Sequence, residues 1–326
     1  MANLIIPPRW RIPEHDVTPE AVFRNRRQFL RDLGFAGTGL LAAASFGLAH
    51  AADAPAATGT NSPAAGVKYP APRNPKFNDP ALKLTPEEYP AHYNNFYEFS
   101  TTKDRVYRLV DKFTTDPWTV EITGLCEKPM TVDARELLAQ FPLEERVYRF
   151  RCVEAWAMIV PWTGFPLARL IEKAQPKSSA KFVKFVTAKR PDQMPGIERL
   201  RGYPWPYAEG LRLDEAMNDL VLVASGIYGK PLPKQHGAPL RIVVPWKYGY
   251  KSIKSIVRIE FVATQPETLW ETLSPEEYPF ESNVNPAVPH PRWSQATERL
   301  IDTGDRVPTL PYNGYGEFVS KLYGKG

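Results

Sequence analysis

The sequence predicts an α+β fold with a mixed or antiparallel sheet, short helices and long functional loops. Three observations carry this. Short runs rich in β-branched and aromatic residues recur along the chain, short amphipathic segments lie between them, and 34 prolines in 326 residues interrupt both kinds of element.

The strand runs are residues 118–123, 147–152, 182–187, 220–224, 240–246 and 257–262. The last alternates well, with Val257, Ile259 and Phe261 on one face and Arg258 and Glu260 on the other, as a half-buried strand requires. The helical candidates are residues 133–140, 167–174 and 214–217. In the second, Leu167, Leu170 and Ile171 share a face. No internal repeat is visible.

Before these elements stands a segment with another purpose. Arg26 and Arg27 precede Gln28-Phe29-Leu30, residues 33–49 are weakly hydrophobic and contain Gly and Ser, and Ala49-His50-Ala51 is a small-x-small cleavage pattern. These are the three parts of an export signal, and the paired arginines select the twin-arginine route. The apolar stretch is shorter than the ~20 residues that span a bilayer. Ala52-Asp53-Ala54 offers a second cut. The expected organisation is a leader at 1–51, a flexible Ala/Pro/Gly/Ser/Thr-rich linker at 52–72, and a single catalytic domain at 73–326. Twin-arginine export carries folded proteins, commonly because a cofactor is inserted beforehand.

Composition excludes several classes. The formal charge is +5, of which the first 51 residues supply +2 through 6 Arg against 4 acids, so no basic surface for nucleic acid is implied. Cys126 and Cys152 are the two cysteines, which gives neither a disulfide framework nor a zinc motif. His15 and His50 lie in the leader, and His92, His236 and His290 are far apart in sequence. There is no GxGxxG fingerprint, no CxxCH haem motif and no iron–sulfur cysteine cluster.

Three segments hold candidate chemistry. If Arg146-Val147-Tyr148-Arg149-Phe150-Arg151-Cys152 is a strand, Cys152 shares a face with Tyr148 and Phe150 and stands at the strand's end, with Arg149 and Arg151 on the other face. A buried structural cysteine and a functional thiol are both open from this pattern, and cationic neighbours favour a thiolate where geometry brings them close. Cys126, in a turn after a strand, reads as structural. Gln235 to Ser255 concentrates Arg241, Lys247, Lys251 and Lys254 around a turn, suited to a phosphate or equally to a solvated basic loop. Tyr93-Asn94-Asn95-Phe96-Tyr97-Glu98-Phe99 offers side chains that read a heterocycle's polar edge, or an edge strand with core aromatics.

Taken together these segments resemble the sulfite-oxidase fold family and, within it, the periplasmic methionine-sulfoxide reductase catalytic subunits. The likeness runs from YNNFYEF through FPLEERVYRFRCVEAWAMIVPW, YAEGLRLDEAM and HGAPLRIVVPWKYGYKSIKS to NVNPAVPHPRWSQATER, and includes the leader. It implies a sulfite-oxidase-type molybdopterin-binding fold and one molybdenum–molybdopterin per subunit, without an attached nucleotide. Position by position it makes Cys152 the metal's thiolate ligand, a soft donor for a soft metal. Asn94, Tyr97, Glu98, Thr187, His236 and Arg241 become pterin contacts, and Ser252, Ile253 and Lys254 the phosphate-side loop. Some relatives carry Asn where this chain has His236. The implied chemistry is oxygen-atom transfer, in which a sulfoxide becomes a thioether and two electrons and two protons carry the oxygen off as water. The implied partners are a haem-containing membrane subunit, MsrQ, that draws on the quinone pool, oxidised periplasmic proteins as substrates, and the twin-arginine export machinery. Rival expectations are sulfite oxidation or reduction of small S- or N-oxides on the same fold, a thiol hydrolase using Cys152 and His236, and a non-catalytic binding protein.

Overall fold

The computed structural model describes residues 67–324, so the expected leader, both candidate cleavage sites and most of the expected linker lie outside the described residues. Among the described residues twelve strands form two sheets. They are β1 Thr119–Gly124, β2 Met130–Asp133, β3 Glu144–Arg151, β4 Trp156–Pro166, β5 Phe182–Thr187, β6 Ala208–Arg212, β7 Leu222–Ile227, β8 Lys230–Pro231, β9 Arg241–Val243, β10 Ile256–Val262, β11 Thr297–Leu300 and β12 Arg306–Pro308.

One sheet runs β2-β1-β10-β5-β6, and the other β12-β11-β4-β7-β8 with β3 on β4 and β9 on β7. Two pairings, β1 with β10 and β11 with β4, are parallel, and the rest are antiparallel. The fold is therefore α+β with mixed sheets, as predicted. One continuous apolar core takes residues from both sheets, among them Val120, Phe185 and Ile259 from the first and Val160, Phe165 and Val223 from the second. No described helix is long and apolar enough to cross a membrane.

The predicted elements match where their patterns are clean. β5 spans the predicted residues, and the helix Leu167–Ala174 buries Leu167, Leu170 and Ile171 as its spacing requires. The helix Ala134–Ala139 starts on the side chain of Asp133, which accepts from the Arg135 amide at 2.8 Å; such a cap is worth about 1 kcal/mol. In β10 the pairing shifts between Ile256 and Arg258, so Ile256, Ile259 and Phe261 are buried while Val257 is half-buried. That bulge breaks the strict alternation expected of Val257. The run 240–246 is a strand only at Arg241–Val243 and then leaves the sheet.

β4 escaped prediction altogether. It is buried almost throughout, so it shows no alternation, and Pro161 and Gly164 interrupt its pattern. Pro161 is accommodated because β4 begins to pair with β7 only at Trp162. The Tyr93–Phe99 segment is not an edge strand either. It is a turn anchored by a chain of edge-on rings, Phe96 to Phe99 at 4.8 Å, Phe99 to Phe113 at 5.4 Å and Phe113 to Trp118 at 5.7 Å.

Candidate active site

A pocket of about 880 Å³, counting its open mouth, lies where the Tyr93–Glu98 turn meets the β3–β4 connection, the end of β5 and the loop between β9 and β10. The structure brings all ten residues named from the sequence into its lining: Asn94, Tyr97, Glu98 and Cys152, then Thr187, His236 and Arg241, then Ser252, Ile253 and Lys254.

Cys152 follows β3 directly and opens a tight turn into β4. Its amide donates to the Trp156 carbonyl at 2.9 Å, its carbonyl accepts from the Ala155 amide at 3.1 Å, and Ala155 takes the left-handed conformation (φ 61°) that closes the turn. The side chain enters the pocket beside Phe150, as the face predicted for it requires. Its sulfur is approached by two donors, the Glu154 amide and the Asn95 side-chain amide, each at 3.4 Å.

The predicted arrangement of cationic neighbours needs correction. Arg151 is fully buried and turned away to Glu298 (3.0 Å) and Gln295 (2.7 Å), while also donating to the Cys152 carbonyl. It fixes the backbone that carries the sulfur rather than the sulfur. Burial pushes the Cys152 thiol up to about 12, with the Glu154 carboxylate adding to the shift, and the Glu154 amide, Lys103 and Arg151 offset only part of it. A metal ion bound at the sulfur would stabilise the thiolate.

The basic loop is likewise neither solvated nor uniform. Lys247 is buried against Glu215 at 2.6 Å and Lys251 against Glu209 at 2.6 Å, both outside the pocket lining. Arg241 and Lys254 face the pocket instead. Arg241 donates to the carbonyls of His236 (3.0 Å) and Ser252 (2.9 Å), and burial lowers its guanidinium to about 9. Lys254 donates to the Asn95 carbonyl at 2.7 Å, and burial lowers its ammonium while raising the carboxyl of nearby Glu98. A buried guanidinium bonded only to carbonyls is expensive unless an anion joins it. Close approach shapes this corner: Gly237 has φ 95°, and a Cβ there would meet the Lys254 side chain at 2.6 Å.

His236 closes the same corner on a single 3-10 turn. Burial first, then repulsion from Arg241 and Lys254, lowers its imidazole to about 3. The unfolded chain takes up that proton near 6.5 and the folded chain only near 3. Between these values the unfolded state binds more protons, so the His236 contribution is present above 6.5 and is lost as pH falls toward 3. His236→Asn is expected to flatten the acid limb of urea-unfolding titrations by up to one proton, about tenfold in the folding equilibrium per pH unit.

The remaining named residues are placed by neighbouring backbone. Thr187 ends β5 and donates to the Lys254 carbonyl at 2.8 Å. The Glu98 carbonyl accepts from Gly196 at 2.7 Å, an approach that leaves no room for a Cβ at Gly196, since it would lie 2.1 Å from the Tyr97 carbonyl oxygen. The Asn94 side chain donates to the Pro90 carbonyl at 2.9 Å, and its side-chain amide oxygen (Oδ1) is buried without a partner, as is the Oδ1 of Asn95. Two orphaned acceptors, two buried cations and one thiol with donors aimed at it suit a metal held on a polar heterocycle with an anionic tail. The residues fit a molybdenum–pterin group.

Sequence reasoning missed Asn95, Lys103 and Glu154. The Glu154 carboxylate, 3.7 Å from the Cys152 sulfur, accepts from Lys103 (3.0 Å), Asn95 (3.1 Å) and Trp156 (3.2 Å). Burial pushes its carboxyl up, but these hydrogen bonds outweigh burial and hold it below the ordinary value. Asn95 and Glu154 stood inside the segments singled out by sequence. Lys103 carried no signal, because its partner is 51 residues away.

Comparison with known proteins agrees with this geometry. Residues 107–270 match the family described as "Oxidoreductase molybdopterin binding domain". The chain is 51% identical over 316 residues to the "Protein-methionine-sulfoxide reductase catalytic subunit MsrP" of Burkholderia mallei, covering 96% of this chain and 93% of that one. It is 50% identical over 317 residues to the protein of the same name from Xanthomonas campestris pv. campestris, covering 95% and 94%. Among solved structures, the sulfane dehydrogenase SoxCD of Paracoccus pantotrophus aligns at 19% identity with a TM-score of 0.41, over 68% of this chain and 56% of that one. The chain belongs to the molybdopterin-binding oxidoreductases and, within them, to the family of protein-methionine-sulfoxide reductase catalytic subunits.

Proposed function

We propose that the protein reduces methionine sulfoxide, free and within other proteins, using one molybdenum–molybdopterin per chain without an attached nucleotide. The observation that carries this is Cys152, one thiol at a tight turn in a pocket that otherwise offers hydrogen-bonding groups and buried positive charge. Cys152 is the protein's ligand to the metal. Arg241, Lys254 and Ser252 hold the phosphate, with Ile253 lining that loop, while Asn94, Tyr97, Glu98, Thr187 and His236 hold the pterin. When bound, the group supplies two-electron oxygen-atom exchange with the sulfoxide.

The chain's own part is to orient and tune. Asn95 and the Glu154 amide aim hydrogen bonds at the Cys152 sulfur. Donors to a ligating sulfur draw off electron density and favour the reduced metal. Asn95→Leu is therefore expected to lower the molybdenum midpoint potential by tens of millivolts, read by redox titration of the Mo(V) signal, with metal content kept.

The leader, the cellular location and the electron source belong to the same proposal. The twin-arginine pair and small-x-small site support export of the folded protein to the periplasm, with residues 1–51 removed and cleavage possible at 54, leaving a single domain from about residue 73. A sequence without haem, flavin or iron–sulfur motifs suits an external donor, the haem-containing membrane subunit MsrQ fed by the quinone pool. The test is oxidation of reduced viologen by the purified, metal-loaded mature protein. Turnover with a methionine-sulfoxide-containing protein is expected, and no reduction of an oxidised acceptor such as ferricyanide when sulfite is supplied in a parallel assay. Reduction of that acceptor by sulfite, with no viologen oxidation by the sulfoxide, would replace the proposal with sulfite oxidation.

A further inference from the structure

Among the aromatic side chains that line the same pocket as Cys152 and Glu154 yet take no part in the proposed cofactor contacts are Tyr93, Trp156, Tyr250, Trp270 and Tyr278. They fall into two groups. Tyr93 and Trp156 meet edge-on at 5.1 Å beside the Cys152 turn. Trp270 is the hub of the second group, with Tyr97 edge-on at 4.9 Å and Tyr278 at 5.1 Å, and Tyr278 meets Tyr250 edge-on at 5.4 Å.

Trp270 is held for presentation rather than for filling the core. It lies on the short helix Leu269–Leu273 and stays half-buried, whereas its helix neighbour Leu269 is buried. The Tyr97 ring meets it edge-on and the Tyr278 ring packs at a tilt, so the indole is held between two rings while part of it remains accessible.

A methyl sulfoxide side chain has a neutral, polar S–O group carried on apolar carbon. After oxygen transfer it is a thioether. Both forms make favourable contacts between sulfur or its methyl and aromatic rings. A sulfite dianion gains nothing from ring faces and is repelled by the Glu154 carboxylate at the same pocket.

Resting on the sulfoxide-reductase reading, we propose that Trp270, backed by Tyr278 and Tyr97, is the specificity-determining wall that receives the methyl-sulfinyl side chain of the substrate. The wall selects for the side chain bearing the sulfoxide, and Cys152 and its surroundings serve the chemistry.

The experiment compares metal-loaded wild type, Trp270→Ala and Trp270→Phe with two substrates, methionine sulfoxide and dimethyl sulfoxide, alongside molybdenum content. Trp270→Ala is expected to raise KM for methionine sulfoxide about 10- to 100-fold, the scale of a lost apolar pocket contact. Its kcat stays within severalfold, its molybdenum content is normal, and KM for dimethyl sulfoxide, which presents the same methyl-sulfinyl group, rises with it. Trp270→Phe restores most of the affinity. Calorimetric titration of the oxidised holoenzyme with methionine sulfoxide should show the same rise in Kd. An unchanged KM and Kd in Trp270→Ala, a loss for methionine sulfoxide that dimethyl sulfoxide does not share, or a loss that tracks molybdenum content would overturn the proposal. Wild type inactive on methionine sulfoxide would instead overturn the reductase reading on which it rests.

Discussion

Cys152→Ala is expected to abolish sulfoxide reduction, with a loss well beyond the ~10- to 100-fold typical of removing an outer-shell partner of a metal. The physical reason is that no other thiol lines the pocket, and the Met158 thioether that does is neutral and cannot supply an anionic ligand. Cys126 is buried where it bridges to Pro176 and does not line the pocket, and His236 lies at the Arg241 corner, with its imidazole kept neutral by burial. Cys152→Ser should be nearly as inactive, because an alkoxide is a harder ligand and harder still to ionise in a site that already pushes the native thiol up to about 12. Turnover and molybdenum content are measured together. An active variant with normal metal content would remove Cys152 from the mechanism.

The second large effect is on stability. Arg151 and Glu298 form an ion pair at 3.0 Å with side chains 0% and 5% exposed, and burial raises the Glu298 carboxyl and lowers the Arg151 guanidinium. Replacing such a pair wholesale by apolar groups is often harmless, but removing one partner strands a charge in a dry site and costs about 3–5 kcal/mol. Glu298→Ala should therefore lower the calorimetric Tm by roughly 10 °C, given ~2–4 °C per kcal/mol in a domain of this size. Glu298→Gln should lose less, since the amide oxygen still accepts from Arg151. The same substitution loosens the residue that donates to the Cys152 carbonyl, so metal retention should fall with Tm. An unchanged Tm would mean that the pair is solvated.

The site was more legible in the sequence than the fold around it. Nine of the ten named residues fall in segments whose side chains are unusual for their setting: carboxamides among aromatics at Tyr93–Phe99, a cysteine ending a strand, and basic residues crowded at a turn; Thr187, at the end of β5, came from resemblance alone. Resemblance gave each a role, and the structure gathers all ten in one pocket. What stayed hidden was partnership across long sequence separations. Arg151 reads as a cation beside a thiol, and only Glu298, 147 residues on, turns it into a backbone clamp. Lys247 and Lys251 read as part of a phosphate loop, and only Glu215 and Glu209 take them out of it. β4 was hidden for a different reason, because burial on both faces erases alternation and its proline mimics a strand end. Trp270 and Tyr278 stand in a loop-rich stretch without periodicity, so their convergence on Tyr97 had no sequence signature.

The most direct test of the central claim is the molybdenum X-ray absorption spectrum of metal-loaded wild type beside that of Cys152→Ala refilled with cofactor. The account predicts that the variant's first shell holds one sulfur fewer than the wild type's, with the cofactor's own sulfurs retained. An identical sulfur shell in the two proteins would show that Cys152 does not bind the metal and would contradict the site as assigned.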